Sequence, residues 1–391
     1  MIDQLLQKEI QFFITQNIGK KSSALALQKN PFPTVDFKII INQIEAKSKA
    51  KDKLPTWFHT PNIIFPSKIA IEQTSSETTA NYKATLVSGE SLLDATGGFG
   101  IDDYYFAKKI KKVVHCELNS ELSSIVEHNF KTLKIENIDC IAGDSSEILA
   151  TLNQQFDYIY IDPSRRNDQK GKVFMLKDCL PNVPDLQDFY FKFTSNILIK
   201  TAPILDITSG LNELKNVKNI HIVAVDNEVK ELLWEIEKNH KDSISVKTVN
   251  FNKSTSELFE FQLNNQAFAN YGLPQKYLYE PNSAIMKSGG FNEVSNQYKL
   301  DKLHVNSHLY TSNNLIDFPG RIFEIMQNIP YSKNEMKNTL QNAKSNITTR
   351  NFPDTVENIR KKWKINDGGA TYCFFTTDKN DNKIVLICKK I

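Results

Sequence analysis

From residue 92 to residue 225 short apolar runs alternate with amphipathic stretches, a rhythm that predicts strands joined by helices. Four runs of strand length each end in an acid: Leu92-Leu93-Asp94, Lys112 to Glu117, Ile138 to Asp144, and Phe156 to Asp162. Asp102 to Lys111 and Asn119 to Lys131 read as helices between them. In the second helix Leu122, Ile125, Val126 and Phe130 share one face. Strand, helix, strand with short links implies parallel strands and right-handed crossovers. Asn196 to Lys200 and Asn219 to Val225 read as fifth and sixth strands. Glu228 to Lys238 reads as a helix carrying Trp234, and Glu257 to Gln262 alternates like an antiparallel edge strand.

The flanks follow other patterns. Ile2, Leu5, Leu6, Ile10 and Phe13 repeat at helical spacing. Ser23 to Gln28 reads as a short helix stopped before Pro31. Asp36 to Ala50 is another, with Phe37, Ile40, Ile41 and Ile44 on one face and a solvated run from Lys47 to Lys53. Ser76 reads as the cap of a helix running through Ala84. After residue 270 the α/β rhythm stops. Asp354 to Trp363 reads as a helix, and Tyr372 to Thr377 and Lys383 to Cys388 as a hairpin.

Length changes this picture: 391 residues exceed one ordinary core, so two or three domains are expected. A hydrophobic content of 40% and a charged content of 24% fit a soluble globular chain. No apolar run reaches membrane-span length, and the N-terminus lacks a secretion-signal pattern, so a cytoplasmic protein without membrane contact is expected. Cys116, Cys140, Cys179, Cys373 and Cys388 are scattered and odd in number. They predict buried thiols, with neither a disulfide framework nor a zinc site. His59, His115, His128 and His221 show no metal spacing, so no metal is expected. The net charge is +3, but residues 264–391 carry 17 Lys+Arg against 11 Asp+Glu, a local excess of six, and the remainder is net −3. A basic surface suits a phosphate backbone, although lysine-rich faces are also ordinary solvated surface.

Candidate chemistry centres on Asp94-Ala95-Thr96-Gly97-Gly98-Phe99-Gly100, a strand end, a tight glycine turn and a helix start. Glycine permits backbone angles that a side chain forbids and lets a ligand lie against the main chain. The form is D-x-T-x-G-x-G with an extra glycine, not G-x-G-x-x-G. An acid at the tip of the second strand, Glu117, can take both hydroxyls of a ribose. With the ordered acids at Asp144 and Asp162, the turn resembles motif I of the class I S-adenosylmethionine methyltransferases.

That resemblance implies S-adenosylmethionine as cofactor. Gly97, Gly98 and Gly100 would border its methionyl part with Asp94 beneath, Glu117 would hold the ribose, Asp144 and Ser145 would sit beside the adenine edge, and Thr96, Leu118 and Asp162 are further cofactor-binding candidates. Each acid could instead cap the next helix. Gln73 and Ser75 lie in the segment that covers the methionine end of the cofactor in such enzymes. Asp162-Pro163-Ser164-Arg165 lies where amino-methyltransferases carry D/N-P-P-[YFW]. There the acid and the first proline carbonyl accept hydrogen bonds from an exocyclic amine, and the aromatic stacks on the base. Here Ser164 replaces the second proline and Arg165 the aromatic, so amine methylation is open. Arg165 could stack on a base or clamp a phosphate. Carbon methylation would need an activated cysteine, and Cys179 is the one close in sequence, without a recognisable motif.

A second resemblance covers most of the chain from about residue 65. Glu280 to Lys287 is similar to a ferredoxin-like segment that follows the catalytic domain in a family of bacterial methyltransferases. Arg350-Asn351-Phe352-Pro353, Gly368-Gly369 and the last hairpin are similar to its THUMP-like domain. The resemblance implies an RNA substrate, tRNA or rRNA, because THUMP domains are RNA-binding modules of RNA-modifying enzymes. The expected fold is α/β: a Rossmann-like, seven-stranded methyltransferase sheet with a helical N-terminal domain and small α+β C-terminal domains. The expected boundaries are 1–64 (helical), 65–270 (methyltransferase), 271–316 (ferredoxin-like) and 317–391 (THUMP-like). The expected catalytic residues are Asp162, Pro163, Ser164 and Arg165. Alternative readings are a methyltransferase of a protein or small molecule, and an RNA-binding scaffold without catalysis.

Overall fold

The computed structural model describes residues 2–165, 175–253 and 255–391, with the Arg165 side chain excluded. The chain divides into two compact units, Met1–Lys218 with Leu233–Lys241, and Asn219–Leu232 with Asp242–Ile391.

The first unit holds a parallel sheet. Its strands are β1 (Ser91–Asp94), β2 (Lys112–Glu117), β3 (Ile138–Ala142), β4 (Tyr158–Ile161) and β5 (Asn196–Thr201). They lie in the order β5-β4-β1-β2-β3, and every pairing is parallel. Leu92, Leu93, Val113, Val114, Ile159, Ile161, Leu198 and Ile199 are buried, as expected of strands covered on both faces. Each such side chain contributes about 1.5–3 kcal/mol on leaving water. Strand order reverses at β1, with β2 and β3 on one side and β4 and β5 on the other. Such a switch point leaves a ligand crevice beyond the carboxyl ends of the strands.

The sheet continues through β6 (Val217–Val225), β7 (Glu228–Glu237), β8 (Ser245–Phe251) and β9 (Ser256–Gln262). The full order is β9-β8-β6-β7-β5-β4-β1-β2-β3, nine strands where seven were expected. β8 runs parallel to β6, and β9 antiparallel to β8, as the alternation of Glu257 to Gln262 predicts. One expected helix, Glu228 to Lys238, is instead strand β7. Asp226 and Asn227 both take positive φ, +50° and +61°, which gives the two-residue turn that reverses a hairpin. Leu232, Leu233 and Trp234 are then all buried, although they are consecutive.

At the N-terminus the expected helices form at Ile2–Leu5, Lys8–Gln16, Ser22–Ala26 and Phe37–Lys53, and a further helix, not expected, starts on the proline of Pro55–His59. The helix Phe37–Lys53 is capped by Asp36, which accepts from the Lys38 N–H at 2.9 Å. It runs three residues beyond Ala50, and its last turn is not simply solvated. Lys53 Nζ donates to the Ile71 and Glu72 carbonyls, and Lys47 is buried.

The second unit carries an eight-stranded sheet. Its longer strands are β10 (Tyr277–Pro281), β11 (Tyr310–Ser312), β12 (Gly320–Pro330), β13 (Asn346–Arg350), β14 (Thr371–Thr377) and β15 (Lys383–Lys390). Beginning with the short strands Asn270–Tyr271 and Asp301–Lys302, the order continues β11-β10-β12-β15-β14-β13. Alternation along β14 sends Phe374 and Phe375 to opposite faces. Phe374 joins Leu278, Leu309 and Phe323, whereas Phe375 joins Met336, Ile359 and Trp363. Among the described residues, no helix is long and apolar enough to cross a membrane.

Candidate active site

The parallel strands deliver Asp94, Glu117, Asp144 and Asp162 to one edge of the sheet. Asp94 ends β1 and Glu117 ends β2; Asp144 follows β3 by two residues and Asp162 follows β4 directly. The register makes this necessary: Asp94 lies opposite His115 and Tyr160, and Glu117 opposite Ala142.

At the switch point the two sides are stitched together by Thr96. Its N–H and hydroxyl both donate to Asp94 Oδ1, at 2.7 and 3.1 Å, and its Oγ1 accepts the Asp162 N–H at 2.7 Å. Asp162 then pairs through Oδ2 with Lys200 Nζ, from the end of β5. The sequence expectations did not include Lys200. Its signal was the polar residue closing Asn196-Ile197-Leu198-Ile199, a pattern shared with the acid-tipped strands.

The glycine turn is shaped by what lies beneath it. A Cβ on Gly97 would sit 2.2 Å from His115 Cε1, and one on Gly100 2.5 Å from Phe130 Cζ. Gly98 and Gly100 take φ of +57° and +73°, which side chains resist. The Gly97 N–H is anchored to the Cys116 carbonyl at 2.8 Å, and the Gly98 N–H donates to Glu117 Oε2 at 2.9 Å. The other Glu117 oxygen accepts from the Asn119 N–H at 2.8 Å. A carboxylate has about four acceptor sites, so two remain for a pair of hydroxyls.

Helix capping divides the acids. Asn119, not Glu117, caps the helix Ser120–Thr132. Asp144 does cap Ser145–Leu152, and both of its bonds, to the Ser146 and Glu147 N–H groups, land on Oδ1. Ser145 is buried and Leu118 is 70% exposed.

Beneath the turn lies a buried polar cluster. His115 Nδ1 meets Asp103 Oδ2 at 2.6 Å with both side chains fully buried. Burial, then the Asp103 charge, pushes the Asp94 carboxyl well above the usual carboxylate range. Burial, then the Asp102 charge, does the same to Asp103. Burial pushes His115 down, opposed by the Asp94 and Glu117 charges. His115 is thus a core histidine with a carboxyl partner.

The segment before the turn packs against the start of the helix that follows it. Ser75 is buried, and its hydroxyl donates to Asp102 Oδ2 at 2.9 Å and accepts from Lys83 Nζ at 3.1 Å. Lys83, fully buried, pairs with Asp102 Oδ1 at 3.2 Å, and Tyr160 OH donates to Asp102 Oδ2 at 2.8 Å. Ser75 therefore ties the helix Glu77–Ala84 to the start of the helix Ile101–Phe106. Gln73 is exposed at the end of the helix Lys68–Gln73.

Past β4, Pro163 is buried and Ser164 exposed. The backbone of Ser164–Arg165 pairs with Cys179–Leu180 as a two-stranded antiparallel ribbon. The roles considered for the Arg165 side chain, and Arg166 itself, lie outside the described residues. Cys179 sits opposite Arg165 in that ribbon but is fully buried, its thiol 3.7 Å from the Met175 carbonyl, so it is not placed as an open nucleophile. Among the described residues, no group of three or more His, Cys, Asp or Glu could hold a metal ion.

The chain is similar to several known proteins. A family model described as a ferredoxin-like domain matches residues 277–319, and one described as THUMP domain-like matches residues 320–390. The crystal structure of a "putative methyltransferase from Porphyromonas gingivalis W83" is 30% identical, covers 98% of this chain and 97% of its own, and superposes with a TM-score of 0.87. An "Uncharacterized RNA methyltransferase" of Clostridium tetani is 27% identical over 101 residues, 25% of this chain and 22% of that protein. One of Synechocystis is 28% identical over 81 residues, 21% of this chain and 18% of that protein. The chain thus spans only about a fifth of the length of the curated relatives it matches.

Proposed function

Because this chain belongs to the methyltransferase family of the Porphyromonas protein, with ferredoxin-like and THUMP-like domains at its C-terminus, we propose that it methylates RNA with S-adenosylmethionine. The observation that carries the reading is the set of four acids at the carboxyl edge of a parallel sheet, spanning its switch point. The RNA substrate is supported by the THUMP-like match, by the names of the two curated relatives and by the basic balance of residues 264–391.

The residues present fit the cofactor. Glu117, held by two backbone N–H groups, keeps acceptor capacity for the ribose hydroxyls. Gly97, Gly98 and Gly100 give a main chain bare enough for close approach, and Asp144 stands at the adenine side with Oδ2 not used in its cap. S-adenosylmethionine, when bound, supplies an electrophilic methyl group on a sulfonium.

The chain's share of the chemistry is positioning. Asp162 and the Pro163 carbonyl stand beside the switch point, where they would accept hydrogen bonds from the acceptor nucleotide and aim its nucleophilic atom. Holding reacting atoms about 3 Å apart removes much of the barrier. Thr96 fixes the Asp162 backbone to the same carboxylate that underlies the glycine turn, so acceptor and cofactor positions are set by one hydrogen-bonded unit. We place the domains at 65–270 for catalysis and 271–316 and 317–391 for RNA docking, with 1–64 as a helical flank.

The test is mass spectrometry of nucleosides from tRNA and rRNA of cells with and without the gene. One methylated nucleoside should vanish, and the purified chain with S-adenosylmethionine should restore it. Unchanged nucleosides in both fractions, together with no methyl transfer in vitro, would overturn the reading. Binding to the isolated RNA should also weaken steeply as salt rises.

A further inference from the structure

Lys200, the penultimate residue of β5, stands beside the residue that the proposed mechanism depends on. Parallel register pairs Ile161 with Ile199, so the next residue on each strand, Asp162 and Lys200, falls side by side. The Lys200 ammonium meets Asp162 Oδ2, and its side chain is only 12% exposed against 37% for Asp162. The charged end of Lys200 is thus turned to the carboxylate from the protein side, while the carboxylate keeps an open side.

The backbone carrying Lys200 is fixed. Ile199 and Thr201 flank it and are buried. Thr201 Oγ1 accepts from Trp234 Nε1 at 3.0 Å, and Trp234 packs so closely on Gly210 that a Cβ there would lie 2.3 Å from the indole. On the other side, the Asp162 N–H is held by Thr96 Oγ1 at 2.7 Å. Main chain and one carboxylate oxygen of Asp162 are therefore both pinned, the first by the turn after β1 and the second by β5.

We infer that Lys200 is a positioning residue for methyl transfer: it occupies Asp162 Oδ2 and so presents Oδ1 as the acceptor for an N–H or O–H of the substrate nucleotide. The inference rests on the proposed methyltransferase reading and deepens it by naming what aims Asp162. With Oδ2 engaged by Lys200, the carboxylate is held from rotating, and Oδ1 keeps its acceptor sites for the substrate. A nucleotide presenting a hydrogen-bond donor at the reacting position is selected over one presenting only an acceptor. No proton or electron need pass through Lys200.

The experiment uses the full chain, tritiated S-adenosylmethionine and total RNA from cells lacking the gene. Lys200→Met should lower single-turnover methyl transfer about 10²-fold, the scale of a misplaced acceptor, while KM for S-adenosylmethionine stays at the wild-type value. Lys200→Arg keeps a charged donor and should recover most of the rate. Asp162→Asn should be slow too, and adding Lys200→Met to it should cost little more, because two residues acting as one unit are not additive. A cofactor-dependent thermal shift in each variant establishes that the site is folded. Full activity of Lys200→Met, or losses that simply add in the double variant, would overturn the inference. A wild-type chain that neither binds S-adenosylmethionine nor transfers a methyl group would instead overturn the reading beneath it.

Discussion

The carboxyl edge of the parallel sheet and the eight-stranded sheet of the second unit both bury charge, but they balance it differently. At the edge, Asp94 and Asp103 lie under the glycine turn with His115 as a shared neighbour, and burial pushes the carboxyls up and the imidazole down. In the second unit, buried Glu280 meets two guanidiniums: Arg321 on Oε2, and Arg350 on Oε1 at 3.0 Å. Glu280 lies on β10, Arg321 on β12 and Arg350 on β13, so the triad ties three strands with both carboxylate oxygens paired and one positive charge in excess. Uncompensated polarity sits where a ligand is expected, and compensated polarity where the fold must be held.

The largest effect expected from breaking this contrast is at the paired site. Glu280→Ala would leave two guanidiniums facing each other and should cost about 3 kcal/mol, less than a fully buried pair because both arginines are about a third exposed. Chemical denaturation would measure it, and S-adenosylmethionine affinity should not change. A loss near zero would show that the triad holds nothing.

Gly97→Ala comes next. The added methyl has no room above His115, and the Gly97 N–H is tied to Cys116, so the turn must shift. We expect a stability loss of about 1–3 kcal/mol, typical of overpacking, with cofactor affinity reduced at least tenfold by calorimetry. Unaltered affinity would separate the turn from the cofactor. Gly289→Ala, where a Cβ meets open space but φ is +75°, should cost about 1 kcal/mol and leave affinity intact.

A pH dependence separates the two regions as well, through His308 in one and Asp94 and Asp103 in the other. Burial, with Lys302 and Arg350 nearby, pushes His308 down to about 4 from its ordinary 6.5. Below pH 6.5 the unfolded chain takes up a proton that folded His308 refuses. Stability therefore falls as pH drops from about 6.5 to about 4, by about 1–2 kcal/mol after allowing for its partial exposure. His308→Gln should flatten that slope in urea titrations across this range. Asp94 and Asp103 act the other way. Their raised carboxyls give a contribution present below the unfolded carboxylate pKa and lost as pH rises through the folded one.

The same division explains what could be read from the sequence. The strand tips at Asp94, Glu117, Asp144 and Asp162 were legible because an apolar run ending in an acid is a local signal, and parallel crossovers bring such ends together. β7 was not legible as a strand. Val229, Leu232, Leu233 and Ile236 fit helical spacing, and the hairpin turned on the left-handed angles of Asp226 and Asn227. β8 was missed because Ser245 to Phe251 alternates weakly, with polar Thr248 and Asn250 both buried. Ser75 was placed near the cofactor by its position before β1, but its hydroxyl serves Asp102 and Lys83, partners 27 and 8 residues away. Lys200 likewise acquires meaning only through a neighbour 38 residues distant. Local pattern reveals where strands end; which side chains meet there depends on register and burial.

The claim on which everything else depends is that the carboxyl edge of the parallel sheet holds S-adenosylmethionine through Glu117. Isothermal titration of the full chain with the cofactor, beside Glu117→Ala, tests it most directly. The account predicts one saturable site in the wild type and at least a tenfold loss in the variant, about 1.4 kcal/mol or more. No binding to the wild-type chain, or equal binding by both proteins, would contradict it.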